Sequence, residues 1–285
     1  MKELVIIGHG PAGISAALYA VRGGAPVTIL AKDDGALAKA DTIQNYYGFA
    51  NGISAKELIK DGINQAKNLG AKLLQKEVCG IEFGADGYEV KTTDGASLTA
   101  GAVIIAVGTS RNVPPVKDLA KFEGKGVSYC AICDGFFFRN KKVAVIGSGA
   151  YAKSEYAVLK NIIDDVTILT NGEQPAFDSP ACNTKKIDRF EGEDLLERIV
   201  FEDGTSENFD GAFIACGSAG AFELAKKLGL EIGGNKIVVN EKRETNIPGI
   251  YAAGDCVAGL QQIAKAVYDG MIAGIEALKY LKSLG

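Results

Sequence analysis

The chain has 285 residues, 47% of them hydrophobic and 23% charged, a globular balance that separates it from disordered chains. Its formal charge of −4 argues against a nucleic-acid binder, and no apolar run reaches the ~18 residues needed to span a membrane. The single histidine, His9, leaves no histidine-based triad, and the six cysteines (Cys79, Cys130, Cys133, Cys182, Cys216 and Cys256) have no spacing that suits zinc.

Lys2-Glu3-Leu4-Val5-Ile6-Ile7 reads as a strand running straight into a glycine loop, with no stretch for a signal peptide. A cytoplasmic protein is therefore expected, and the cysteines are not expected to form a structural disulfide framework. Gly8-His9-Gly10-Pro11-Ala12-Gly13 follows the strand and opens an alanine-rich helix over 14–22, with a second strand over 26–30. That context gives the glycine motif meaning: the first glycine permits the tight turn, the second lets the backbone approach a pyrophosphate, and the third lets helix pack on strand. The helix N-terminus adds amides and partial positive charge. The acid usual at the end of the second strand is replaced by Leu30-Ala31-Lys32, leaving Asp33, Asp34 or the backbone to reach a ribose.

Strands are expected near 76–78, 88–92 and 103–108. From residue 111 to 142 seven Lys/Arg face three Asp/Glu, a local +4 that leaves the rest of the chain at −8. This is either a solvated surface or a docking patch for an acidic partner, and Cys130 and Cys133 lie inside it. A second strand–turn–helix begins at Lys142, with Gly147-Ser148-Gly149-Ala150-Tyr151-Ala152 between a strand over 143–146 and a helix over 153–161, and a strand over 166–169 beyond. Two such fingerprints predict an α/β protein with two Rossmann-like, three-layer dinucleotide folds in tandem. Phe213-Ile214-Ala215-Cys216-Gly217 echoes Ile105-Ala106-Val107-Gly108. Near the end, a strand leads into Gly254-Asp255, which puts a carboxylate near the mouth of a Rossmann site, as a partner for a ribityl or ribose hydroxyl, as the N-cap of the last helix over 262–281, or both.

These pieces together resemble the low-molecular-weight thioredoxin reductase family along nearly the whole chain. The resemblance rests on the first glycine loop, Asn45-Tyr46-Tyr47-Gly48-Phe49, Cys130-Ala131-Ile132-Cys133-Asp134-Gly135 just before the second fingerprint, that fingerprint itself, and Gly254-Asp255 followed by Gln262. It implies an FAD domain of residues 1–112 and 246–285, a central redox domain of 113–245, and a homodimer. FAD is then expected on Gly8, Gly10, Pro11 and Gly13, on the turn from Lys32 to Leu37, on Asn45, Val78 and Gly108, and on Gly254, Asp255, Gln262 and Ile263. The family pattern makes Cys133 the sulfur nearest the flavin, Cys130 the thiol that attacks thioredoxin's disulfide, and Asp134 the proton donor or acceptor.

One part departs from the family. Relatives that use NADPH carry an arginine cluster after the strand matching 166–169, where fixed cations hold a 2′-phosphate. Here Thr170-Asn171-Gly172-Glu173-Gln174-Pro175-Ala176 follows, with no cation before Lys185 and a turn-rich stretch where relatives have a helix. Glu173 hints at NADH, since a carboxylate suits a ribose diol, although Gly172 and Pro175 flank it in a loop. Tyr151 adds bulk within the second glycine turn, where the phosphate would lie. The pattern is similar to the ferredoxin-dependent flavin thioredoxin reductases. It suggests ferredoxin, a strongly acidic protein, as donor, with Arg111, Lys117, Lys121, Lys125, Arg139, Lys141 and Lys142 as its docking cations. An NADPH- or NADH-dependent thioredoxin reductase, a dithiol oxidase using oxygen, and a flavin redox sensor are the competing expectations. The other four cysteines read as small buried hydrophobes.

Overall fold

The computed structural model describes residues 1–108, 113–129, 131–177, 182–216, 220–234 and 236–285, with the side chains of 39, 132 and 133 left aside. Its helices are α1 (Pro11–Arg22), α2 (Ala55–Asn68), α3 (Ala131–Asp134), α4 (Ala150–Lys160), α5 (Ala221–Leu228) and α6 (Ile263–Ser283). The chain divides into two compact units, Met1–Arg111 with Gly220–Gly285, and Asn112–Ala219.

In the first unit five strands form a parallel sheet in the order Ile250–Ala252, Ala102–Ile105, Leu4–Ile7, Val27–Ala31 and Lys72–Gln75. Its central strands are continuous apolar runs, as a sheet covered on both faces requires, and Leu4, Val5 and Ile6 are wholly buried. Helix α1 starts at Pro11, three residues before the expected start, because a proline at the first helical position loses no hydrogen bond that the helix needs. Helices α1 and α6 lie against each other through small residues. A Cβ on Gly270 would stand 2.0 Å from the Ala12 carbonyl oxygen, and one on Gly274 2.4 Å from that of Ala16. A three-stranded antiparallel sheet (Val78–Gly84, Gly87–Thr92, Ser97–Ala100) precedes the strand Ala102–Ile105.

The second unit repeats this plan. Its parallel sheet runs Val127–Ser128, Gly211–Ile214, Lys142–Ile146, Asp165–Leu169 and Cys182–Asn183. A three-stranded antiparallel sheet (Ile187–Glu191, Arg198–Phe201, Ser206–Asn208) again precedes the strand beside the central one. The echo between 105–108 and 213–217 follows from this repetition. Ala106 N donates to the Ile7 carbonyl at 2.8 Å, and Ala215 N to that of Ile146 at 2.8 Å.

The chain re-enters the first unit at Gly220, not at the expected 246. The intervening helix α5 packs on the strand Val78–Gly84, and Lys227 Nζ donates to the Cys79 carbonyl at 2.9 Å. Among the described residues no helix is long and apolar enough to cross a membrane.

Candidate active site

The first glycine turn divides its labour among three residues. Gly8 takes φ +104°, and a Cβ there would stand 2.3 Å from the Ala106 carbonyl oxygen. Gly10 has open space where a Cβ would point, and Gly13 lies so close to the Gly8 carbonyl that a Cβ would approach to 1.9 Å. Gly108, at φ +71°, also opens onto free space. The turn is completed from the far end of the chain, since a Cβ on Gly254 would lie 2.8 Å from that of Ala12.

Residues expected to share a site are brought together across long stretches of sequence. Asn45 Nδ2 donates to Gln262 Oε1 at 3.0 Å. Leu37 and Ile263 pack in one cluster with Tyr46 around Ile43, Ile53 and Ala55. Val78 is buried at the start of its strand. Lys32 stands apart, its ammonium 3.4 Å from Glu77, whose carboxyl burial pushes up. Asp33 caps its own turn through the Gly35 N–H, while Asp34 Oδ1 lies 3.5 Å from His9 Nε2, so of the two acids Asp34 is the one drawn to the glycine turn. Asp255 is not the cap of the last helix. Gln262 occupies that position, and Asp255 sits seven residues earlier in a 3-10 turn, its carbonyl bonded by Lys236.

Behind that 3-10 turn lies a buried ionic cluster that sequence reasoning missed. Asp269, 0% exposed, accepts from Lys265 Nζ at 2.7 Å and from Arg243 Nη2 at 2.8 Å and Nε at 2.9 Å, and takes the Gly254 N–H at 3.1 Å. Lys265 also donates to the Gly254 carbonyl at 2.8 Å. An aspartate in mid-helix with a lysine four residues before it was the available signal.

In the second unit Cys130 lies outside the described residues. Helix α3 begins at the next residue and contains Cys133, of whose side chain nothing is described. Ser128 Oγ donates to Asp134 Oδ2 at 2.6 Å, so Asp134 is oriented from the preceding strand. The Ala131 N–H donates to Oε2 of Glu155 on α4 at 3.0 Å. A 3-10 turn, Gly135–Phe138, follows. Phe138 stacks edge-on against Phe213 of the sheet at 5.4 Å, which leaves Phe136 59% and Phe137 73% exposed, with the Arg139 guanidinium 4.0 Å from the Phe136 ring. The Phe-Phe-Phe run after the Cys-x-x-Cys was the overlooked signal.

The second glycine turn is differently furnished. Gly149, like Gly10, faces open space, but the following loop folds back on this turn. Ala176 N donates to the Ser148 carbonyl at 2.8 Å, the Ser148 hydroxyl donates to the Glu173 carboxylate, and Thr170 Oγ1 donates to the Glu173 carbonyl at 2.6 Å. Tyr151, expected to crowd the phosphate position, is 1% exposed and falls among the buried residues of α4. Two cations of the basic segment are paired with acids outside it. Lys117 is paired with Asp188 at 2.7 Å and Lys142 with Glu207 at 2.8 Å, while Lys121 and Lys141 lie over phenyl rings. Arg111 lies outside the described residues.

Two other thiols are chemically quiet. Burial pushes Cys256 up to about 12, and burial with the nearby Glu173 charge pushes Cys216 up to about 12. Each stays a neutral thiol as pH rises until that value is approached, so only about 1 in 10,000 is thiolate at pH 8. Iodoacetamide at about pH 8 is expected to leave both unmodified in the native protein, as read by peptide mass mapping; rapid carbamidomethylation of Cys256 would contradict this.

Two Rossmann-like units, one with an open glycine cradle and the other with a Cys-x-x-Cys turn, define a flavin-type disulfide oxidoreductase. Residues 2–270 match the family model described as "Pyridine nucleotide-disulphide oxidoreductase". A thioredoxin reductase of Listeria monocytogenes is 33% identical over 99% of this chain and 94% of its own length. Among solved structures, the "atypical thioredoxin reductase TRi" of Desulfovibrio vulgaris Hildenborough matches with a TM-score of 0.93 at 39% identity, covering 99% of each chain. A "Ferredoxin-Flavin Thioredoxin Reductase" of Clostridium acetobutylicum matches with a TM-score of 0.74 at 29% identity, over 99% of this chain and 98% of that one. The chain belongs to the pyridine nucleotide-disulphide oxidoreductase family and, within it, to the thioredoxin reductases. These are FAD proteins, and the first unit fits that group: Gly10 leaves room for a pyrophosphate against the N-terminus of α1, where a side chain would close it.

Proposed function

We propose that this chain reduces thioredoxin through Cys130 and Cys133, with electrons that reach FAD from reduced ferredoxin and not from a pyridine nucleotide. The observation that carries the donor reading is the loop over the second glycine turn. The chain's own Glu173 carboxylate bonds Ser148 within the turn, in the place where a dinucleotide would bring its pyrophosphate, and two anions there repel. The first cation after the strand, Lys185, is turned to Asp203 at 2.8 Å and Thr205 at 2.9 Å. The likeness to the Clostridium ferredoxin-flavin enzyme supports the same donor.

In this reading FAD sits in the first unit on the residues from Gly8 to Gln262 described above, and bound FAD supplies the electron pair that opens the Cys130–Cys133 disulfide. The Cys130 thiolate then attacks one sulfur of thioredoxin's disulfide, forming a mixed disulfide and releasing the other sulfur as a thiolate. Asp134, held by Ser128, moves the proton that this thiolate takes up. Cys133 attacks the Cys130 sulfur, restoring the intramolecular disulfide and freeing reduced thioredoxin. Exposed Phe136 and Phe137, with the Arg139 guanidinium over the Phe136 ring, offer a protein partner an apolar centre beside a cation.

Mixing the oxidised holoenzyme anaerobically with reduced ferredoxin, NADPH or NADH in turn tests the donor. Flavin bleaching by ferredoxin alone is expected, and rapid bleaching by NADPH sinks the proposal. One observation favours a second reading: Glu173 beside the glycine turn is also where an NADH ribose acid would act. Bleaching by NADH, abolished by Glu173→Ala, would establish that instead.

A further inference from the structure

We infer that Glu155 is a positioning residue for the dithiol and that its buried charge sets the reactivity of Cys130. The inference rests on the reading that Cys130 is the thiol that attacks thioredoxin. Helix α4 buries Tyr151, Ala152, Glu155 and Leu159, a core-facing stripe in which a glutamate is out of place unless it has work there. Glu155 is 2% exposed, and its Oε2 accepts the Ala131 N–H at 3.0 Å. That nitrogen is bonded directly to the carbonyl carbon of Cys130, so the carboxylate is tied to the backbone of the reacting cysteine itself.

Other ionisable groups surround the turn. Asp134 is on α3 and bonded by Ser128; Tyr129 donates to Glu123 at 2.5 Å; Tyr151 is buried on α4; Lys153 is exposed on the same helix; Arg139 lies over Phe136. Glu155 differs from them in joining full burial to a bond with the first residue of α3. A buried carboxylate near a thiol disfavours the thiolate and raises the pH at which it forms. It also holds the first N–H of the short helix, and so fixes where that helix begins.

The two effects separate in an alkylation profile. With reduced Cys130 kept from pairing in a Cys133→Ser holoenzyme, iodoacetamide forms a sulfur–carbon bond and releases iodide, and only the thiolate reacts. Glu155→Gln preserves shape and the acceptor for the Ala131 N–H while removing the charge. A thiol pKa lower by about one unit raises the thiolate fraction about tenfold on the acid side. Intrinsic nucleophilicity falls with pKa by a Brønsted coefficient of about 0.4–0.5, which takes back about threefold. The expected Glu155→Gln profile therefore crosses the wild-type one, about threefold faster near pH 6 and about threefold slower near pH 10. Glu155→Asp, which keeps the charge, is expected to hold the wild-type midpoint.

Profiles with a common midpoint would overturn the inference, as would a Glu155→Asp profile shifted like that of Glu155→Gln. A Glu155→Gln protein that cannot fold or hold FAD would assign Glu155 to stability and overturn it equally. The underlying reading has its own readout: a Cys133→Ser protein that traps no mixed disulfide with oxidised thioredoxin removes Cys130 from its role, whatever the alkylation profiles show.

Discussion

Replacing Cys133 with serine in the holoenzyme is expected to lower thioredoxin reduction by at least about a thousandfold, while FAD stays bound. Serine matches cysteine in shape, but its hydroxyl neither forms a disulfide nor attacks one at neutral pH. Cys130 would still open thioredoxin's disulfide, and the reaction would stop there, because the sulfur that should resolve the mixed disulfide is gone. The stalled species has a direct signature, a covalent adduct on a non-reducing gel that dithiothreitol removes. The cradle proposed for FAD, with Gly8, Gly10, Gly13 and the Asn45–Gln262 pair, belongs to the other unit and contains no part of the Cys-x-x-Cys. Full activity in this variant would mean that the Cys-x-x-Cys is not the redox centre; Cys216 and Cys256, held neutral far above working pH, would not be the thiols that replace it.

What could be read in the sequence was what local spacing encodes. The strand–glycine–helix units at 4–22 and 142–160 are short-range patterns, and the structure has them at those places, with helix starts moved to Pro11 and Ala150. The Asn45–Gln262 bond spans 217 residues, yet both residues are named for one site by the family resemblance, which carries long-range information that periodicity lacks. Where neither helped, reading failed for an identifiable reason. The basic segment counted as +4 because its neutralising acids, Asp188 and Glu207, lie 71 and 65 residues downstream of their lysines. The border at 220 was hidden because α5 is an ordinary amphipathic helix whose packing surface lies more than 130 residues earlier. Tyr151 was assigned to the phosphate because a helix's first turn does not announce which side faces the core. The stripe of 151, 152, 155 and 159 would have placed it, and Glu155 with it.

The largest effect on stability is expected at Asp269. Its carboxylate is wholly buried and balances two cations, Arg243 and Lys265, whose side chains are themselves only 19% and 18% exposed. Asp269→Ala would strand both charges and leave the Gly254 N–H without its acceptor. Removing one partner from a buried ionic cluster costs about 3–5 kcal/mol, because the surviving charges keep their desolvation penalty and lose its compensation. The holoenzyme should therefore unfold at lower urea concentration with an unchanged slope, the mark of lost stability without a changed unfolded state. A paired substitution separates charge from packing. Adding Lys265→Met to Asp269→Ala removes one stranded cation and replaces its stem with a chain of similar length, so part of the loss should return. FAD release should rise in step, since Gly254 is fixed by this cluster on both its N–H and its carbonyl, and Asp255 follows it directly. A double variant no more stable than Asp269→Ala would mean that the gain from removing the stranded cation does not exceed the loss of the Lys265–Gly254 bond, and that the ionic balance is not the main contribution of the aspartate.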